Sequence, residues 1–291
     1  MIDRYLLRYF LAVMDQGNFT RAAEKCNVTQ PTLSAGIARL EQLVGQPLFN
    51  RTNRRVDLTP AGARFAGHAR KIEAEFNLAE QSIASDGRRQ RLRLGVLNTL
   101  PTAMVAGLAG TLSKANAFEI EFVEGRAREL SERLALGRID GALTIAREDR
   151  GATHFEPLFS EGYGLAMPAT HPLANEPAIA AEALADNVMI VRRHCEVLPE
   201  TSRHFTQRGV RPFFSARTTS DDRALAYVAA GIGVTIMPDC FTTGGVARVP
   251  LEAFNLTRTI GLHYIERNDM LDFAIARIAP LFANREAGDR A

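Results

Sequence analysis

Cysteine is scarce in this chain of 291 residues. The three present, Cys26, Cys195 and Cys240, stand far apart and none has CxxC spacing. An odd, scattered set argues against a disulfide framework or a zinc site and predicts a reducing compartment. An excess of one charge is lacking too: 35 basic side chains against 33 acidic ones leave a formal +2, too little by itself to indicate nucleic-acid or membrane binding. The imbalance is local. Residues 1–90 hold 13 Lys and Arg against 9 Asp and Glu, so the N-terminal third is basic and the remainder carries −2. No long apolar run exists either. Leu94–Ser113 is uncharged, but Asn98, Pro101, Gly107, Gly110 and three threonines interrupt it, which suits a strand, a polar turn and a packed helix rather than a bilayer span. The first residues, MIDRYLLRYFLAVMDQG, include acids and show no small-residue cleavage pattern, so no signal peptide and a cytoplasmic location are expected. A Walker loop, a GxGxxG after a strand and an HExxH are all missing. His194 and Cys195 are adjacent, so their side chains point apart, and no third group orients them for nucleophilic catalysis. No enzyme, cofactor or metal site is expected. The 46% apolar and 23% charged residues fit an ordinary globular protein of two or three domains.

What is present begins with helical spacing. Tyr5, Leu6, Phe10 and Val13 predict a first amphipathic helix ending near Gly17. Asn18 can cap a second helix carrying Ala22-Ala23, which runs no further than Cys26-Asn27. Thr29 caps a third, with Pro31 in its first turn and Leu33, Ile37, Leu40 and Leu43 on one face. Two short helices, a tight turn and polar residues at the exposed start of the second describe a helix-turn-helix. A helix entering the major groove by its N-terminus brings Gln30, Thr32 and Ser34 to base edges. Residues Phe49–Leu58 read as a hairpin whose tip places Arg54 and Arg55 at phosphates or the neighbouring minor groove. The plainer alternative is a generic three-helix bundle with solvated arginines.

The run FTRAAEKCNVTQPTLSAGIARLEQLVGQPLFNRTNRRVDLTPAG resembles the N-terminal domain of the LysR-type transcriptional regulators. The likeness lies in the AA pair, T-Q-P opening the recognition helix, I-x-x-LE, G-x-PLF-x-R, and LT-x-AG after the wing. It implies that Gln30, Pro31, Thr32 and Ser34 contact the groove and that Arg54 sits on the wing. Where family members often carry Arg or Lys after the serine, this chain has Ala35-Gly36. Gly36 costs a helix about 1 kcal/mol against alanine, so site preference is expected to lean on the wing.

After the wing, Thr59-Pro60 starts a helix in which Phe65, Ala69, Ile72, Phe76, Ala79 and Ile83 form a heptad seam. Such a stripe needs a partner, either the chain's own domain or a second copy. The position of the helix between two folded units, before the linker Ser85–Gln90, favours the copy. The resemblance implies antiparallel pairing and a homodimer, or a tetramer. From Arg91 the pattern becomes strands alternating with helices, giving two α/β units joined by two crossing segments around a cleft. The stretches EGRARELSERLALGRIDGALTI, GLAMPATHPLA and VAAGIGVTIMP resemble the family's effector domain, which has the periplasmic-binding-protein fold. The chain is thus expected to be α/β in its larger part and to divide into four. Residues 1–58 form a winged helix-turn-helix and 59–90 a dimerisation helix with linker. Residues 91–161 with 266–291 form effector lobe I, and 162–265 form lobe II.

Ligands of such sheets bind at the carboxyl ends of strands. That places Asn98, Thr99 and Leu100 after the first strand and Arg126 and Ala127 at the start of the second helix. Arg193, His194 and Cys195 follow a lobe II strand, and Thr219 and Ser220 cap a helix. Arg126, Arg193 and His194 point to an anionic, carboxylate-bearing effector. An alternative makes Cys195 an oxidant-sensing thiol. Its basic neighbours favour the thiolate, and its place resembles the sensing cysteine of the family's peroxide-responsive members; against this, no second cysteine lies nearby, and His204 stands where a resolving partner would be expected. A further alternative is a dimeric small-molecule-binding module without specific DNA binding. The expectation adopted is a DNA-binding transcription regulator controlled by a small molecule, whose partners are double-stranded DNA, the effector, its own copy and RNA polymerase.

Overall fold

A computed structural model describes residues 1–51, 56–84, 90–114, 118–146 and 153–282. The chain falls into two compact units, residues 1–89 with 132–138, and residues 90–131 with 139–291.

The first unit contains α1 (Arg4–Gln16), α2 (Phe19–Lys25), α3 (Gln30–Val44), the short antiparallel strands β1 (Phe49–Arg51) and β2 (Val56–Leu58), and α4 (Pro60–Ala84). Helical spacing sets its core. Leu6, Leu7, Phe10, Leu11 and Val13 of α1 are buried, as are Leu33, Ile37 and Leu40 of α3. The Phe10 ring meets Phe49 at 5.1 Å and Phe65 at 5.0 Å between centroids, fastening α1 to β1 and α4. A buried side chain of this size stabilises by about 1.5–3 kcal/mol. The hairpin tip bearing Arg54 and Arg55 lies outside the described residues.

The second unit begins with β3 (Arg91–Leu97), α5 (Thr102–Ser113), β4 (Glu119–Gly125), the first part of α6 (Ala127–Ala135) and β5 (Gly141–Ile145). β3 lies between β4 and β5, parallel to both. There follow β6 (His154–Pro168), β7 (Val188–Arg192), α7 (Leu198–Gln207), β8 (Phe213–Thr218), α8 (Asp221–Ala229), β9 (Thr235–Pro238), β10 (Val246–Val249), β11 (Thr257–Tyr264) and α9 (Asp269–Ile278). The long strand β6 runs through both lobes. Its first part pairs with β11, which also pairs with β5; its last part pairs with β10 on one edge and β9 on the other. Side-chain alternation along that last part divides lobe II into two cores. Tyr163, Leu165 and Met167 join Ile179, Leu184, Phe205 and Phe254, whereas Ala166 faces Ile190, Val228, Met237 and Phe241.

Strands β8 and β10 are not signalled by the sequence pattern. Phe213, Phe214 and Ser215 are all exposed, so β8 shows no alternation of apolar and polar residues, and β10 is only four residues long. The parallel pairs β3–β5 and β7–β8 fix where the strands' carboxyl ends open.

Candidate nucleic-acid interface and interlobe site

Side-chain caps start both helices of the helix-turn-helix, Asn18 at α2 and Thr29 at α3. The Asn18 Oδ1 accepts from the backbone N–H groups of Thr20 and Arg21 at 2.9 and 3.1 Å. The Thr29 Oγ1 accepts from the N–H of Thr32 at 3.4 Å and lies 2.8 Å from the Thr32 hydroxyl. Asn27, between the helices, takes φ 54, a left-handed conformation that asparagine tolerates. Gln30, Pro31 and Thr32 are exposed at the start of α3, while Ser34 is half-buried and Leu33 is in the core. The side chains available to a groove are thus Gln30 and Thr32, with Ser34 at the edge.

Several motif residues turn out to be joints of the fold. The Glu41 Oε1 accepts from the N–H of Leu48 at 2.8 Å and of Phe49 at 3.2 Å, tying α3 to β1. The Thr59 hydroxyl donates to the Pro47 carbonyl at 2.8 Å and accepts from the N–H of Gly62 at 2.9 Å. A Cβ on Gly62 would overlap the Leu48 carbonyl oxygen. Gly36 has a packing role as well: a methyl there would meet the Tyr9 ring at 2.6 Å. Its cost in helix propensity is the condition for α3 to approach α1 closely.

The interlobe site lies where β3, β7 and β8 end. The Asn98 Nδ2 is 3.0 Å from the His194 Nδ1. Thr99, almost wholly buried, donates through its hydroxyl to Glu196. At the start of α5 the Thr102 N–H donates to Asp222 at 3.1 Å. Two buried arginines organise the site, and the sequence reading assigned a role to neither. Arg258 of β11 donates to Glu161 at 2.8 Å, to Glu196 at 2.9 Å and to Thr99. Arg192 of β7 pairs with Asp221 and donates to the Ile236 carbonyl at 2.9 Å. Arg192 ends the apolar strand VMIVR, and Arg258 is the only Lys, Arg, Asp or Glu in TRTIGLHY. A charge in such a strand is retained only with a partner, and that was the signal available.

The other expected residues are distributed as follows. Leu100 is buried and Ala127 half-buried. Ser220 caps α8, accepting from the N–H of Arg223, with exposed Thr219 beside it. Arg126 is exposed and turns towards Glu129 at 3.7 Å, and Arg193 is exposed. Neither supplies the interior cation on which an anionic effector was expected. The interior arginines face three carboxylates, those of Glu161, Glu196 and Asp221. Three polar atoms here are buried with no hydrogen-bond partner among the described residues: Asn98 Oδ1, Glu196 Oε2 and the Tyr163 hydroxyl. The thiol of Cys195 also departs from expectation. Burial pushes its pKa up, Arg192 at 3.4 Å pulls it down, and Glu196 pushes it up again. Arg192 is committed to Asp221, so the neutral thiol is favoured over the thiolate. Burial and Glu161 push the Cys240 thiol up to about 12. His204 lies on α7 with its ring edge-on to Phe205 and Phe254, at 5.8 and 5.2 Å between centroids.

A model described as bacterial regulatory helix-turn-helix protein, lysR family, matches residues 5–63, and one described as LysR substrate binding domain matches residues 85–276. The chain belongs to the LysR family. A probable hydrogen peroxide-inducible genes activator of Mycobacterium avium is 32% identical to this LysR-family protein, over 85% of this chain and 79% of the relative. The transcriptional regulator AlsR of Bacillus subtilis is likewise 32% identical, over 80% of this chain and 79% of its own. Among solved structures, HinK of Pseudomonas aeruginosa matches with a TM-score of 0.58 at 21% identity, covering 98% of this chain and all of that one. Full-length BenM matches with a TM-score of 0.55 at 24% identity, covering 98% of each. The LysR-family fold of a DNA-binding helix-turn-helix and an effector-binding domain is therefore that of the whole chain, and the protein is a DNA-binding transcription regulator. Its relatives are transcription regulators rather than enzymes. Among the described residues no helix is long and apolar enough to cross a membrane.

Proposed function

We propose that this LysR-family protein is a cytoplasmic, homo-oligomeric, non-enzymatic regulator that binds a pseudo-palindromic DNA site with one α3 per half-site and acts with RNA polymerase. Residues 1–58 bind DNA and 59–90 pair with a second copy. In the effector domain, 91–161 with 266–291 and 162–265 act as two lobes that close on a small molecule. In this reading Gln30, Pro31, Thr32 and Ser34 meet the groove and Arg54 and Arg55 the backbone. The effector lies among Asn98, Thr99, Leu100, His194, Cys195 and Ser220, with Arg126, Ala127, Arg193 and Thr219 at the margin. The observation that carries the reading is the set of polar contacts joining the strand ends of the two lobes, Asn98 to His194 and Thr99 to Glu196, beside three unbonded buried polar atoms. A ligand bonding those atoms must break or remake the interlobe contacts, so it favours one lobe arrangement over another.

The test is retention of fragmented source-genome DNA on the full chain across a salt series, with sequencing of what remains bound. Enrichment of a few sites carrying an inverted repeat at moderate salt supports the reading. Sequence-blind retention that vanishes with salt refutes it. Metabolites handled by the products of genes beside the enriched sites are then titrated against the protein–DNA complex.

A second reading, oxidant sensing, is favoured by the position of Cys195 within the interlobe site and by the relatives named as hydrogen peroxide-inducible genes activators. Peroxide would oxidise the Cys195 thiol to a sulfenic acid with release of one water. Peroxide-dependent DNA binding that is lost in Cys195→Ser would establish it. Its high thiol pKa ranks it second.

A further inference from the structure

We propose that the cavity beside the β6 crossing in the second unit is a second small-molecule site, separate from the interlobe one, and that it takes the zwitterion of an apolar α-amino acid.

β6 leaves β11 at Gly162 and takes up β10 at Leu165. Between these two pairings the chain loops out through Pro250–Leu256, and a cavity of about 430 Å³ remains against the β6 backbone. That volume lies within the range of small-ligand sites, about 300–1,000 Å³. Val249, Leu251, Phe254 and Leu256 give it an apolar wall. Its charged side is a single pair, Arg248 and Asp239, with Tyr163, Asn255 and Thr257 as the uncharged polar lining. Arg248 Nη2 donates to the Met237 carbonyl at 2.6 Å and to Asp239 Oδ1 at 3.1 Å, whereas its Nε and Nη1 are buried with no hydrogen-bond partner. Burial pulls the Arg248 pKa down, with Asp239 opposing. Unbonded buried guanidinium donors are costly, and an acceptor brought by a ligand relieves that cost. Asp239 is half-exposed at the same cavity.

The cavity thus presents a guanidinium whose Nε and Nη1 a turn of the side chain would free for a ligand, an accessible carboxylate and an apolar wall, with no net charge from the pair. A simple carboxylate would bond Arg248 but face Asp239. A simple ammonium would bond Asp239 but face Arg248. A zwitterion with an aliphatic side chain satisfies both charges and the wall. Tyr163 lines this cavity, but Asn98, Thr99, His194, Cys195 and Glu196 do not, so a substitution at Cys195 separates this site from the interlobe one.

The experiment is calorimetric titration of the full chain with three probes of matched shape: L-leucine, 4-methylpentanoate, which lacks the ammonium, and 3-methylbutylamine, which lacks the carboxylate. Leucine is expected to bind at least ten-fold more tightly than either. Asp239→Asn removes the partner of the ammonium, so leucine should weaken at least ten-fold while 4-methylpentanoate gains. Asn255→Trp, a substitution at an exposed lining position, obstructs the cavity without touching the ion pair and should abolish leucine binding. Cys195→Ser should leave it unchanged. The proposal is overturned if leucine binds no better than the other two probes or if none binds. It is also overturned if leucine affinity survives both Asp239→Asn and Asn255→Trp, or is lost in Cys195→Ser.

Discussion

Gly62 and Gly67 lie on the same helix, α4, and respond oppositely to an added methyl group. At Gly62 it would overlap the Leu48 carbonyl oxygen, while at Gly67 nothing lies within 4 Å. Gly62→Ala should therefore destabilise the protein by about 1–3 kcal/mol, as overpacking does, and Gly67→Ala should stabilise it by about 0.5–1 kcal/mol. Urea unfolding of the two variants checks both signs; a stabilised Gly62→Ala would remove the close-approach account. Gln30→Ala should weaken binding to an enriched DNA site by about 1–3 kcal/mol with relaxed base preference, read by anisotropy against single-base variants of the site. His204 gives a pH dependence. Burial and Arg208 lower its pKa below the ordinary value, with Glu182 opposing. The unfolded chain therefore binds this proton first as pH falls, and stability from the neutral imidazole is present above pH about 6.5 and lost below it. His204→Phe should flatten the melting temperature between pH 7.5 and 5.5, and an unchanged slope would assign that loss to other groups. At this scale the caps Asn18, Thr29 and Ser220 were legible, because capping depends on a few neighbouring residues. The roles of Arg192 and Arg258 were not. Their partners Asp221 and Glu161 lie on other elements, and only the apolar strands around them hinted that partners must exist.

α4 is buried unevenly along its length, and Arg4 of α1 bonds Glu73 and Asn77 of its second half. Ala66 and Ala69 are buried in the core of the first unit, whereas Ile72, Phe76, Leu78 and Ile83 are exposed. The seam's start thus lies in the chain's own domain, while its later members Ile72, Phe76 and Ile83 are exposed, with Arg4 of α1 5.0 Å from the Phe76 ring. In the dimer reading, Ile72→Glu with Ile83→Glu should convert the protein to monomers in sedimentation velocity while urea unfolding of the separated monomer stays unchanged. If the double variant keeps the parent's mass, α4 does not carry the association. α1 was readable from its helical period of apolar residues, and β3 from a short apolar run, its last four residues all being buried. β8 was not, since its exposed Phe213 and Phe214 break the pattern from which a strand is inferred.

The overall α/β architecture was legible from the alternation of strands and helices after Arg91, but the charge balance between the lobes was not. Sequence places Arg126 and Arg193 near strand ends and suggests a cationic interior. The folded chain leaves both exposed and buries Arg192 and Arg258 against three carboxylates. The consequence is thermodynamic. Arg192 and Asp221 are both almost wholly buried, so Asp221→Asn leaves a guanidinium without its counter-charge, a loss of about 3–5 kcal/mol. All of it falls within the second unit, because Arg192, Asp221 and the Ile236 carbonyl belong to residues 139–291. Scanning calorimetry of the full chain should show the transition of that unit moving down while the transition of the helix-turn-helix unit holds its temperature. A parallel fall of both would mean that the two units unfold as one cooperative body, in which case a change at the interlobe site could reach α3 through shared stability as well as through movement of the lobes.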